Sequence, residues 1–195
     1  PFTERALDEY ASRLNGELRA GCERNHSGED SDLLYERRRA CLHQAKLALE
    51  VSIDALKNLE TIHLGSVKTA LTPLESAPDC ADDQALLRDE DVVAPRHREA
   101  MDASLRKLYG LAVERWNLQQ SLGPGEQHYQ RLLAESRAMV VEARRLGYSR
   151  HLAHVLRQSS GLHFLAGLPR DACSLLMESF ALAVAAGDDQ TAWDD

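Results

Sequence analysis

The chain has 195 residues, 44% hydrophobic and 28% charged, with a formal net charge of -8. This is ordinary globular composition, sufficient for one sizeable core or an elongated array, and the acidic balance argues against a general nucleic-acid binder, which needs a basic face. Aromatics make up only 5%, and strand-like runs of Val, Ile, Thr and Tyr are nearly absent, so the expected class is all-α.

Taken in chain order, Ala6, Leu7, Tyr10, Ala11, Leu14 and Leu18 form one apolar stripe at helical spacing over residues 3–24. The segment "NHSGED" (25–30) turns the chain at Gly28, and Asp30 or Ser31 is placed to cap a second helix running to about Leu59. Within that helix, Arg37, Arg38 and Arg39 have acidic neighbours and read as a solvated face. A weaker helix over 60–71 is expected to break at Pro73 and Pro78. A short helical turn follows in "DCADDQALL", capped by Asp79 or Asp82. The irregular acidic stretch "RDEDVVAP" marks a boundary, which divides the chain into a 1–90 segment and a 91–195 segment.

After Pro95 the pattern is regular. Helices are expected at about 96–122, 126–146, 150–166 and 169–186, stopped by Gly123–Gly125, Gly147, Gly167 and Gly187. Two helices per 40 residues with short loops predict antiparallel helical hairpins stacked as an array. Leu156, Ser160, Gly167, Ala172, Leu176 and Ser179 fall at spacings that resemble the tetratricopeptide repeat. That resemblance implies a right-handed superhelix. It is looser over 124–147, where Gly123-Pro124-Gly125 inserts residues and Gln127 stands where a glycine is expected. The first 90 residues then read as degenerate hairpin repeats extending the array.

The ordered set "LDEYASRL", "GCERN", "SDLLYERRRACL", "DCADDQALL", "ARRLGY" and "AAGDD" resembles the C-terminal, non-catalytic region of bacterial serine/threonine protein kinases of the myxobacterial type. The resemblance covers roughly residues 7–190. It implies a sensory or scaffolding helical-repeat region, set apart from its kinase domain, often by a membrane segment that places the repeats outside the cytoplasm. A cytoplasmic scaffold is the alternative. The chain starts at Pro1 and reads as a piece of a longer polypeptide. It carries no Gly-rich loop after a strand, no catalytic-loop motif and no D-F-G, and "RHRE" at 96–99 lacks the required Asp. The expectation is therefore a non-enzyme without cofactor, metal or nucleic-acid ligand. It has no membrane-spanning run and binds a protein or peptide; a spacer or self-association module, such as a homodimer, is the alternative.

Candidate site residues are few. No C-x-x-C pair occurs among Cys22, Cys41, Cys80 and Cys173. With the kinase resemblance, one disulfide among Cys22, Cys41 and Cys80 is expected in an oxidising compartment; in its absence, buried thiols are the plainer reading. Cys41 and Cys80 are almost symmetric about a turn near Glu60, whereas Cys22–Cys41 needs a displaced turn; both pairings stay open. Cys173 reads as a free core thiol. His151 and His154 share a helical face, with no carboxylate placed to complete a metal site, and read as a partly exposed helix start. The acid pairs Asp82-Asp83 and Asp188-Asp189 and the acidic run 89–91 read as caps and loops. Ser159-Ser160 reads as a small-residue helix contact. Tyr109, Trp116 and Tyr129 are the candidate partner-binding face, in competition with plain core packing.

Overall fold

The computed structural model describes residues 2–59, 64–75, 80–88, 93–120 and 126–188. Every regular element among them is helical: α1 (Phe2–Ser27), α2 (Asp32–Lys57), α3 (Leu64–Glu75), α4 (Asp83–Arg88), a 3-10 turn (Pro95–His97), α5 (Arg98–Gln120), α6 (Glu126–Leu146), α7 (Ser149–Leu165) and α8 (Pro169–Ala185). The chain separates into two compact units, residues 1–92 and 93–195.

In the first unit, the apolar stripe of α1 packs on α2. Tyr10 and Leu14 meet Leu34, Cys41, Leu42 and Ala45, and Cys80 and Leu86 close the same cluster. The Tyr10 hydroxyl donates to the Ala45 carbonyl at 3.1 Å, giving the buried phenol the partner it needs. Gly28 ends α1 with φ +76°. Its amide bonds to the Asn25 carbonyl and that of Glu29 to the Arg24 carbonyl, a double bond pattern that satisfies two orphan helix carbonyls. Ser31 then caps α2, its Oγ accepting from the Leu34 amide at 3.3 Å.

One expected break is absent. Pro73 lies inside α3 and is buried, where a break near residue 71 was expected. A proline costs a helix one internal amide bond and a clash with the carbonyl four residues back. Only Leu74 and Glu75 follow Pro73 in α3, so the damage is confined to a turn that is ending anyway. Pro78 lies outside the described residues.

In the second unit, α6, α7 and α8 follow one another in near-identical steps. Gly147, Gly167 and Gly187 adopt φ +78°, +74° and +64°. Each supplies the left-handed residue that ends a helix at least cost. After Gly167 and Gly187 the hydrogen bonds are the same: Gly167 to Phe164 and Leu168 to His163, then Gly187 to Val184 and Asp188 to Ala183. Helices α7 and α8 are both 17 residues long. The shared 20-residue step extends to burial. Met139, Ser159 and Ser179 are buried at one register, and Ala143, His163 and Ala183 at another. Leu108 and Leu111 of α5 join Leu132, Leu133, Met139, Val140, Val155, Leu156 and Leu162 in one cluster. Small residues sit at the crossings. Ser159 Oγ donates to Ser136 Oγ at 3.2 Å, tying α7 to α6, and Ser179 Oγ donates to the Ala153 carbonyl at 2.8 Å, tying α8 to α7.

Candidate functional site

The first unit is organised around α2 residue Arg38. Its guanidinium is 1% exposed; Nε donates to Asp30 Oδ2 at 3.0 Å, Nη1 to the Cys80 carbonyl at 2.6 Å, and Nη2 to Asp83 Oδ1 at 2.6 Å. The solvated-face reading of the arginine triplet is thus wrong for Arg38. Consecutive helical residues point about 100° apart, so three arginines in a row cannot share one environment. Arg39 stays at the surface with Glu36. Arg37 donates to the Leu86 and Leu87 carbonyls, both at 2.7 Å. A buried charge survives only when paired and hydrogen-bonded. Burial pushes the Arg38 pKa down, but its hydrogen bonds to the Asp30 and Asp83 carboxylates, with their charge, outweigh it, and it stands above its ordinary value. Gly21 on α1 makes room for the side chain, since a Cβ there would come within 3.1 Å of Arg38 Cδ.

Arg38 and the disulfide grip the same segment. Cys41 and Cys80 are bonded, with Cα atoms 5.7 Å apart, inside the usual disulfide range. Cys22 is a free, exposed thiol. It faces solvent on α1, so the Cys22–Cys41 pairing is not the one formed. Asp82 Oδ1 accepts from the Gln84 amide at 2.9 Å and starts α4. The segment 80–88 is therefore pinned by one covalent bond, two arginines and its own cap. Asp79 and the acidic run 89–91 lie outside the described residues.

Two residues of the expected aromatic face in the second unit are described. Tyr129 packs partly buried against the core cluster, and Tyr109 is half-buried on α5 with a partner of its own. The Trp116 side chain lies outside the described residues, as do Gly123–Gly125. The two histidines have different environments. His151 is buried and its Nε2 lies 2.9 Å from Ser104 Oγ. Burial, with a smaller contribution from His154, lowers its pKa to about 4. His154 is half-buried, 3.3 Å from Asp188 Oδ2. Asp188 is a carboxylate that the local sequence around this pair does not show. The Gly187 turn returns Asp188 to the start of α7, a proximity that spans 34 residues and leaves no local trace. Even so, no group of three or more His, Cys, Asp or Glu side chains among the described residues is placed to hold a metal ion. Tyr148 precedes α7 without a side-chain cap bond; its hydroxyl instead accepts from the Ala94 amide at 2.9 Å and lies 3.1 Å from His97 Nδ1. Asp189 lies outside the described residues.

Two further features were not legible in the sequence. Arg115 of α5 lies against α7 at Gly161, where any Cβ would collide with its guanidinium. Burial, and next the charge of Arg157, hold its pKa below the ordinary value. Cys173, expected in the core, is exposed on α8. With it stand Leu176 at 37% exposure, Met177 at 70%, Phe180 at 46% and Val184 at 54%.

Ser104 and His151 are a nucleophile-base pair in type, yet both are buried in the helix packing, and among the described residues no hydrogen-bond partner stands on His151 Nδ1. No helix among the described residues is long and apolar enough to cross a membrane. The chain is all-helical in every described element, built of two units, one stapled by a disulfide and one formed of regularly stepped helices. No protein-family model, curated protein or solved structure matches it.

Proposed function

We propose that the chain is a non-catalytic protein-interaction region, a tetratricopeptide-like helical-repeat array of the kind that accompanies the kinase domain in bacterial serine/threonine kinases. The observation that carries this reading is the 20-residue step: three helices in succession end on a left-handed glycine, at 147, 167 and 187, and bury the same register positions. A chain repeating its helix ends at one level builds a regular surface from interchangeable units, and such surfaces serve recognition. The step exceeds half of the standard 34-residue tetratricopeptide unit, so the likeness lies in the hairpin logic and not in helix length. The superhelix would be right-handed, and its ligand a protein or peptide segment laid along α5 and α6 near Tyr109 and Tyr129. The Cys41–Cys80 disulfide supports a location in an oxidising compartment, as for the extracytoplasmic part of a membrane-anchored kinase.

Panning a displayed peptide library against the full chain tests this reading. Selected peptides should protect amides of α5 and α6 from hydrogen exchange, and Tyr109→Ala should weaken them about tenfold, the loss of one aromatic anchor. Failure to enrich any peptide over an unrelated helical protein, or protection confined to residues 1–92, would overturn it.

A further inference from the structure

Helices α5 and α7 run side by side in the same direction. Ser104 Oγ of α5 lies 2.9 Å from His151 Nε2 of α7, and further along both helices Arg115 meets Gly161. The two contacts are made differently. At the first, a hydroxyl and an imidazole satisfy each other. At the second, a guanidinium lies on bare helix backbone, with Nη1 in the place that a Gly161 Cβ would take. Gly161 is inside α7 (Ser149–Leu165), where glycine costs about 1 kcal/mol relative to alanine. At the corresponding steps of the repeat, α6 has Val141 and α8 has Ala181. The repeat itself therefore does not call for a glycine there; the arginine does.

What fills this gap is a charge without a counter-charge. Arg115 is half-buried, and its Nε is out of contact with solvent and has no hydrogen-bond partner. Burial, and next the like charge of Arg157 one turn before Gly161, act against its ionisation, and no carboxylate among the described residues offsets them. Glu114, its neighbour on the chain, is engaged by Arg131. Residues 116–125, which follow, contain no Asp or Glu. A guanidinium cannot escape this cost by losing its proton, and a buried charge persists where something pairs with it. Arg38 in the first unit obeys that rule through Asp30 and Asp83.

We infer that the Arg115–Gly161 gap is an anion site whose ligand carries a phosphate group. The unpaired fork offers N–H donors in the geometry that takes two oxygens at once. The second positive charge, on Arg157, favours a dianion over a carboxylate, which brings a single negative charge. Gly161 holds the guanidinium where α5 meets α7, so the bound anion fastens the two helices together. The same chemistry suits free phosphate and the terminal phosphate of an ester, and the test separates them. This inference does not depend on peptide recognition by α5 and α6.

Isothermal titration calorimetry of the full chain with sodium phosphate, at ionic strength held constant with sodium chloride, tests it. One saturable site with a dissociation constant of about 0.1–1 mM is expected. Arg115→Gln should weaken it at least about tenfold, the loss of a charge-assisted pair. That variant removes a buried unpaired charge, so in chloride alone its helical circular dichroism should be unchanged and its melting temperature no lower. Gly161→Ala keeps the charge, displaces the guanidinium and raises helix propensity; it should weaken phosphate binding by a similar factor. Arg145→Gln, which breaks a surface pair with Glu142, should leave the affinity as it is. Phenyl phosphate, run alongside, tells the sources apart. Tighter binding than phosphate assigns the group to an ester, and equal or weaker binding assigns it to the free ion, both in support of the site. No saturable binding, an affinity indifferent to Arg115→Gln, an equal loss in Arg145→Gln, or acetate bound as tightly as phosphate would each overturn it.

Discussion

The Cys41–Cys80 bond offers the sharpest test of how the first unit is held. Its loop spans a sequence separation of 39. Closing a loop of that size removes chain entropy from the unfolded state equivalent to about 4 kcal/mol at room temperature. Both sulfurs lie in the apolar cluster, Cys41 at 7% and Cys80 at 1% exposure. The expected outcome of Cys41→Ser with Cys80→Ser, or of reduction, is therefore a loss of about 4 kcal/mol, somewhat more for the serines, whose hydroxyls would be buried. Arg38 and Arg37 still hold the segment 80–88 through the Cys80, Leu86 and Leu87 carbonyls, so α4 should dock, but open more often. The assay is urea unfolding followed by hydrogen exchange resolved to peptides. Amides of α2 and α4 should lose protection, while α6, α7 and α8, in a separate compact unit, keep theirs. Equal stability with and without the bond, or an equal loss in both units, would refute the reasoning. So would alkylation of all four cysteines in protein purified without reductant.

Two other outcomes follow from buried charge. Arg38→Met should destabilise the first unit by about 3 kcal/mol, because Asp30, whose side chain is 2% exposed, keeps only the longer contact to Arg24 at 3.7 Å. Adding Asp30→Leu should recover part of that loss in urea denaturation; a double variant weaker than the single one would show that the pair does not act as a unit. His151 governs an acid limit. Its folded pKa of about 4 lies below the ordinary 6.5, so the unfolded chain takes up the proton first as pH falls. Stability from neutral His151 is complete above pH 6.5 and declines towards pH 4, by about 3 kcal/mol at full extent. Thermal melts of His151→Asn should lack that part of the slope; an unchanged slope would place the titration elsewhere.

The helices themselves were written locally. Apolar spacing, Ser31 before α2 and the glycines at 28, 147, 167 and 187 are signals within one or two turns of chain, and each glycine takes the positive φ its place demands. Helix class follows from such signals because amide bonding in a helix reaches only four residues. What the sequence left undecided depends on distance along the chain. Asp30, Arg38, Cys80 and Asp83 converge across two turns, and only packing decides which of three adjacent arginines is carried inside. Pro73 reads as a break until one sees how little helix follows it. The choice between two cysteine pairings turned on where α2 ends and the chain comes back. Tyr129 lies partly buried against the core cluster, a placement its residue type does not decide. The apolar run of α8 reads as core by composition, yet Leu176, Met177, Phe180 and Val184 are exposed. Exposure is a property of position: a helix buries a face only where another helix lies beside it, and that neighbour is chosen by the whole fold and not by the residues of the helix.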